Sequence, residues 1–254
     1  MKRKQVRQEQ FLGKFNFDPG KRGFLGVEIE WFLTQVGKPD QVVPLAPLFL
    51  NGMGKAWGYE LSACQVEYHT KPSREAPLRD LQRGVKAGKE RATQVRLELG
   101  GYELASESMP LDVYPHDKRY AKIAAKLPEH VLRAACRVAG THIHVGVKSI
   151  EEAIAVHNRL TAQLQLFLNM GDHSQGERVR LYKVMAPNCV GPYYENPKHF
   201  YRVAKEQGFL ANPRDCYHLV RINPVGTVEV RAFGSTLNVD EIALWCQSVK
   251  ERAK

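Results

Sequence analysis

Four short stretches of the chain carry polar or ionisable side chains at every second position. Glu28 and Glu30 stand in GFLGVEIEWFLT (residues 23–34), and Gln65, Glu67 and His69 in YELSACQVEYHT (residues 59–70). His142 and His144 lie in RVAGTHIHVGV (residues 137–147), and Glu229 and Arg231 within residues 227–233. Successive side chains of an extended chain point to opposite faces, so residues two apart share one. A single such pair is ordinary decoration of a solvent-facing strand. If the four stretches share one sheet, their carboxylates gather on one face and repel each other unless cations sit among them. Glutamate oxygens suit hard cations, and Mg²⁺ typically bridges a few carboxylates to the phosphates of a nucleotide. A neighbouring arginine would neutralise charge on a phosphoryl group in transfer.

Competing chemistries find less support. Gly52-Met53-Gly54-Lys55 is only superficially like a phosphate loop, because Ala56 replaces the Ser or Thr and the first glycine is misplaced. The chain has no GxGxxG, GxSxG or HExxH. A His-x-His pair on a strand could hold zinc, which keeps a metal-dependent hydrolase as an alternative, although the ligands around this pair are rich in oxygen. Cys136 reads as a small buried hydrophobe rather than a nucleophile.

The elements that must position these groups are legible from periodicity. In residues 23–34, Leu25, Val27, Ile29, Trp31 and Leu33 point one way while Gly26, Glu28, Glu30 and Phe32 point the other. Residues 217–223 and 227–233 flank Pro224-Val225-Gly226 as an antiparallel hairpin. Its second arm should place Thr227, Glu229, Arg231 and Phe233 on one face and Val228, Val230 and Ala232 on the other. A helix is expected through Leu78, Leu81, Val85, Ala92, Val95 and Leu99, with Gly84 and Gly88 each costing ~1 kcal/mol relative to Ala. Ser149 and Glu152 form a capping box opening a helix to Gly171. Another helix runs from Asn196-Pro197 to Gly208, and a last one opens at Asn238 with Glu241. Strands and helices do not alternate strictly. This favours an α+β domain with a mainly antiparallel sheet and helices packed on one face.

The composition sets outer bounds. At 254 residues, 43% hydrophobic and 25% charged, the chain can bury a full core and is not disordered. Residues 1–22 read as a basic leader and residues 23–254 as a single domain. The leader holds Lys2, Arg3, Lys4, Arg7, Lys14, Lys21 and Arg22 against Glu9 and Asp18. A solvated leader on a protein that handles anions is favoured over a nucleic-acid arm, since no zinc-finger spacing or aromatic-basic motif accompanies it. Residues 42–50, the longest apolar stretch, contain Pro44 and Pro47 and fall short of the ~20 residues of a membrane span. The five cysteines are odd in number and never form CxxC, which suits a reducing cytoplasm.

Taken in order, GVEIEWFLT, VEYHT, Arg119-Tyr120, GTHIHVGV (residues 140–147) and GTVEVRAF (residues 226–233) resemble the motifs of the glutamate–cysteine ligase family 2, the group of YbdK-like carboxylate–amine ligases. The likeness spans residues 23–245. Its G-x-E-x-E, G-x-H-x-H-V-G and G-T-x-E-x-R elements are jointly specific. The resemblance implies a glutamine-synthetase-like catalytic fold whose antiparallel sheet floors a site for ATP and Mg²⁺ or Mn²⁺. It implies metal ligation by Glu28, Glu30, Glu67 and Glu229, and nucleotide or metal contacts by His142, His144 and Arg119. Arg231 and Arg221 would meet phosphate or the acidic substrate. The implied reaction joins a glutamate-like acid to an amine through an acyl phosphate. Small-molecule acids and amines are the implied partners, with nucleic acid and membrane disfavoured and homo-oligomerisation left open. The chain departs from the family pattern at Ile29, where GVEEE is common, and at Met109-Pro110, where many relatives carry His-Pro. Beyond residue 233 the sequence is shorter than in most relatives. That keeps a ligase-derived nucleotide-binding or regulatory domain without turnover as a second reading.

Overall fold

The computed structural model describes residues 6–254. Eight strands form one antiparallel sheet: β1 Leu25–Gln35, β2 Lys38–Val42, β3 Trp57–Tyr59, β4 Gln65–His69, β5 Leu97–Gly100, β6 Gly140–Gly146, β7 Val220–Asn223 and β8 Thr227–Gly234. Their order is β3-β4-β1-β6-β8-β7, with β2 and β5 also paired to β1. The long β1 is the spine. It meets β6 and then β5 along one edge, and β4 and then β2 along the other.

The helices are α1 Gln8–Leu12, α2 Ala46–Leu50, α3 Leu78–Gln94, α4 Lys118–Ala124, α5 Glu129–Arg137, α6 Ile150–Ala162, α7 Leu164–Gly171, α8 Glu177–Met185, α9 Pro197–Glu206 and α10 Val239–Arg252. The alternation in β1 is realised: Leu25, Val27, Ile29, Trp31 and Leu33 are buried in one core with residues of α3, α6, α7 and α10. Each such aliphatic side chain contributes about 1.5–3 kcal/mol by leaving water. This is the α+β architecture expected from the patterning. Shorter helices, α4, α5 and α8, border the opposite, polar face and help to enclose a cavity over it.

Gly84 has a use that helix propensity alone prices as a defect. A Cβ there would run into the Tyr68 ring of β4, so the glycine lets α3 approach the sheet closely. The helix ends earlier than its periodicity suggests. Arg96 adopts a φ of 58°, which turns the chain, and Leu97 and Leu99 then pair with β1 rather than extending α3. The helix capped by Ser149 is likewise divided at Gln163, giving α6 and α7. The expected strand over residues 59–70 is split, because residues 60–64 leave the sheet between β3 and β4.

The basic leader is not a bare solvated tail where it is described. Phe11 is fully buried and Phe15 nearly so, packed with Phe200 and Phe209. The Asn16 amide donates to the Pro224 carbonyl at 2.8 Å, tying this segment to the β7–β8 hairpin. Charge counting missed it because the three phenylalanines of the segment are too few to show a periodicity. Residues 1–5 lie outside the described residues.

Candidate functional site

Sheet register gathers the polar positions. Glu28 lies opposite His69 on β4 and His142 on β6, and Glu30 lies opposite Glu67. His144 opposes Glu229, which in turn opposes Arg221 on β7. Directly opposed residues on antiparallel strands share a face, so pairing alone brings these side chains together. They floor a cavity of 420 Å³, lined by Glu28, Glu30, Glu67, His142, Arg119, Arg221 and Arg231 among others. His144 and Glu229 lie below its surface, and Glu229 is 0% exposed.

One irregularity shapes this floor. Thr141 pairs with Phe233 and Ile143 with Val230, so His142 faces both Arg231 and Ala232. That is a β-bulge on β8, which shifts the alternation by one residue. Arg231 keeps the polar face, while Phe233 turns into the apolar core against Phe167 and Trp245. Strict alternation had placed Phe233 beside Glu229, and the bulge is the reason it is not there.

The acidic side of the floor is crowded. Histidine nitrogens bridge the glutamates: His69 Nε2 stands 2.7 Å from Glu67 Oε2, and its Nδ1 3.6 Å from Glu28 Oε1. His142 stands 3.5 Å from both Glu28 and Glu30. His144 Nε2 is 3.4 Å from Glu28 Oε1, buried and without a hydrogen bond. Burial and the charge of Glu60 push Glu30 up to about 8. Burial likewise pushes Glu67 up to about 7, against the pull of His69. Burial would lower His69, but the neighbouring Glu28 and Glu67 carboxylates outweigh it and lift the imidazole to about 10. Burial and the Arg231 charge push His142 down to about 4, which leaves the imidazole neutral near pH 7.

The other side is an ion-pair clamp. Arg221 closes on both oxygens of Glu229, at 2.6 and 3.0 Å, and Arg231 Nη1 reaches Oε1 at 2.6 Å. Burial would raise the Glu229 carboxyl, but the two guanidinium charges outweigh it and hold it well below the usual range. Arg221 also donates to the Cys216 carbonyl at 2.9 Å, so its guanidinium is largely engaged. Arg231 donates through Nε to Tyr182 and through Nη1 to Glu229 and His142; its Nη2 has no partner among the described residues. Arg119, on α4, is exposed at the rim.

The donor set fits a hard divalent cation. Three groups bring one ligand atom from each member within 4.8 Å of the others: Glu28, Glu67 and His69; Glu28, His142 and Glu229; Glu30, Glu67 and His142. Carboxylates held above their usual range are short of positive charge, which a bound cation would supply. Glu60 was not visible as a candidate. It sits between β3 and β4 outside any alternation, lines the cavity, and is raised well above the usual range by burial and the neighbouring Glu67. Tyr182 and Arg178, both from α8, were missed as well. The buried thiols are inert by the same measure, with burial pushing Cys64 up to about 11 and Cys136 to about 12.

The profile of glutamate–cysteine ligase family 2 matches residues 24–171. A Rubrobacter xylanophilus protein named "Putative glutamate--cysteine ligase 2-1" is 27% identical over 244 residues, covering 86% of this chain and 63% of that protein. The chain therefore spans under two thirds of the length of that curated relative. A bifunctional glutathione synthetase from Pasteurella multocida shares the fold, with a TM-score of 0.59, 11% identity, and coverage of 98% of this chain and 43% of that one. The chain belongs to glutamate–cysteine ligase family 2.

Proposed function

We propose that this ligase-family chain is an ATP-dependent carboxylate–amine ligase acting on glutamate or a glutamate-like acid. In the first step a carboxylate oxygen of the acid attacks the γ-phosphorus of ATP. The bond to the β–γ bridging oxygen breaks and ADP leaves with its electron pair. The amine nitrogen then attacks the acyl carbon of the resulting acyl phosphate, phosphate departs, and the nitrogen gives up a proton to yield the amide.

The observation that carries this reading is a single cavity with metal-capable carboxylates on one side and an arginine with an unengaged Nη2 on the other. Arg231 has a rigid base and a charge suited to phosphoryl oxygens in transfer. Glu28, Glu30, Glu67 and His142 are the residues that would hold Mg²⁺ or Mn²⁺, with Glu229 bordering the group. A bound ion would supply charge neutralisation to the phosphate oxygens. His144 stands below Glu28, its Nε2 3.4 Å from that carboxylate, and Arg119 stands where a phosphate or carboxylate would enter. The zinc-hydrolase alternative is disfavoured, since none of the three metal-capable groups contains both His142 and His144. A cytoplasmic setting agrees with five free, buried thiols. No helix among the described residues is long and apolar enough to cross a membrane.

The test is a pairwise screen of acids and amines for ADP release with Mg²⁺, with mass spectrometry of the products. ADP release that requires both partners, with a product equal to their sum less water, is expected. Release indifferent to acid and amine, or none with any pair, removes the reading and leaves a binding domain.

A further inference from the structure

Helix α8 and Arg231 both lie beyond residues 24–171, and the helix touches Arg231 in two ways. Arg178 and Tyr182 are four residues apart and so share one face of the helix. The Tyr182 hydroxyl accepts from Arg231 Nε at 3.2 Å. Arg178 donates through Nη2 to the Arg231 carbonyl, through Nη1 to the Ala232 carbonyl and through Nε to the Ala139 carbonyl, at 3.0–3.2 Å. Both side chains are 3% exposed.

These contacts fall on the bulge. The extra residue on β8 takes Arg231 and Ala232 out of the regular ladder with β6, and their carbonyls need donors from elsewhere. A guanidinium supplies several donors in a fixed fork, so one side chain satisfies the bulge and ties it to the start of β6. Gly140 makes room for it, since a Cβ there would stand 2.5 Å from Arg178 Nη2. Nε is held by Tyr182 and Nη1 by Glu229, so the Arg231 guanidinium is fixed at two corners and Nη2 is left without a partner among the described residues.

We propose that α8 is the positioning element of Arg231: Tyr182 sets the orientation of its guanidinium, and Arg178 fixes the bulged backbone that carries it. Both residues also line the cavity, and the role proposed for each runs through Arg231. The inference rests on the ligase reading for its kinetic consequence and on geometry alone for its structural one.

Tyr182→Phe keeps the ring and its packing and removes only the acceptor. Losing a hydrogen bond to a charged group should lower kcat by about tenfold or more. The KM for ATP should stay within about twofold, since the role assigned to Arg231 is with phosphoryl oxygens in transfer and not with ATP in the ground state. Arg231→Lys has no Nε to be held, so Tyr182→Phe should cost nothing further in that background. A purely structural tyrosine would lower both backgrounds by the same factor, and that result, or an unchanged kcat, overturns the proposal. A second arm needs no turnover. The Arg231 Nε–H signal, assigned by its loss in Arg231→Lys, should be protected from exchange in the parent protein and exposed in Tyr182→Phe. If no acid and amine support ADP release in the parent protein, the ligase reading has failed, and this spectrum alone decides the positioning role. An unchanged Nε–H signal in Tyr182→Phe overturns it.

Discussion

Glu229→Gln and Glu30→Gln are the same chemical change on neighbouring parts of one sheet, and the structure assigns them opposite effects on the metal-free protein. Glu229 is 0% exposed and carries the negative charge between Arg221 and Arg231. Neutralising it leaves two largely buried guanidinium groups facing an amide that offers a single acceptor oxygen. Removing one partner of a buried ion pair costs about 3–5 kcal/mol, and the retained oxygen places this case near ~3. A domain of this size shifts its Tm by roughly 2–4 °C per kcal/mol, so a fall of about 10 °C is expected. Glu30 is the reverse case. Burial and the Glu60 charge raise its carboxyl to about 8, so its ionised form burdens the fold increasingly as pH climbs from the ordinary carboxylate range toward that value. Glutamine removes the burden and can still accept from the Gly140 amide, which now donates to Glu30 Oε2 at 2.7 Å. Scanning calorimetry in EDTA at pH 8 should therefore show Glu30→Gln melting at or above the parent. At pH 6 its advantage should shrink. A Glu229→Gln protein melting within about 2 °C of the parent would refute the clamp and return Glu229 to the role of a simple metal ligand.

Between pH 6.5 and 8 the folded protein holds protons on Glu30, Glu67 and His69 that the unfolded chain releases. Stability of the metal-free protein should therefore fall as pH rises through this window, and Mg²⁺ should restore more of the Tm at pH 8 than at pH 6.5; a flat or rising profile contradicts the assigned shifts. For the same reason Mg²⁺ binding at pH 7 should release protons, so its heat should change between buffers of different ionisation enthalpy, and a buffer-independent heat would argue against these ligands. Phe11→Ala should cost about 3–5 kcal/mol in urea unfolding, because the ring is fully buried against Phe200 and Phe209. A loss below about 1 kcal/mol would make the N-terminal segment the solvated leader its charge suggested.

Much of the floor was legible because period-2 geometry is local. Glu28 and Glu30, His142, and Glu229 and Arg231 each sit on a strand whose other face is mostly apolar, and antiparallel register then brings them together. What stayed hidden depends on tertiary choices. Glu60 comes from a segment between two strands, where no alternation marks a face. Tyr182 and Arg178 come from a helix whose placement over the sheet has no counterpart in its own sequence. The bulge at Arg231 and Ala232 inverts Phe233, and nothing in GTVEVRAF distinguishes a bulged strand from a regular one. Gly84 looked like a helix defect because its justification, the Tyr68 ring, belongs to a different element.

The central claim is that one cavity activates a carboxylate by phosphorylation and then passes it to an amine. Oxygen transfer tests this most directly. The acid is supplied with ¹⁸O in its reacting carboxylate, together with Mg²⁺, ATP and the amine found in the screen. Attack by that carboxylate on the γ-phosphorus leaves one of its oxygens in the phosphate that departs. One ¹⁸O atom is expected in the released phosphate for each amide formed. Unlabelled phosphate alongside amide, or label appearing in AMP, would contradict it.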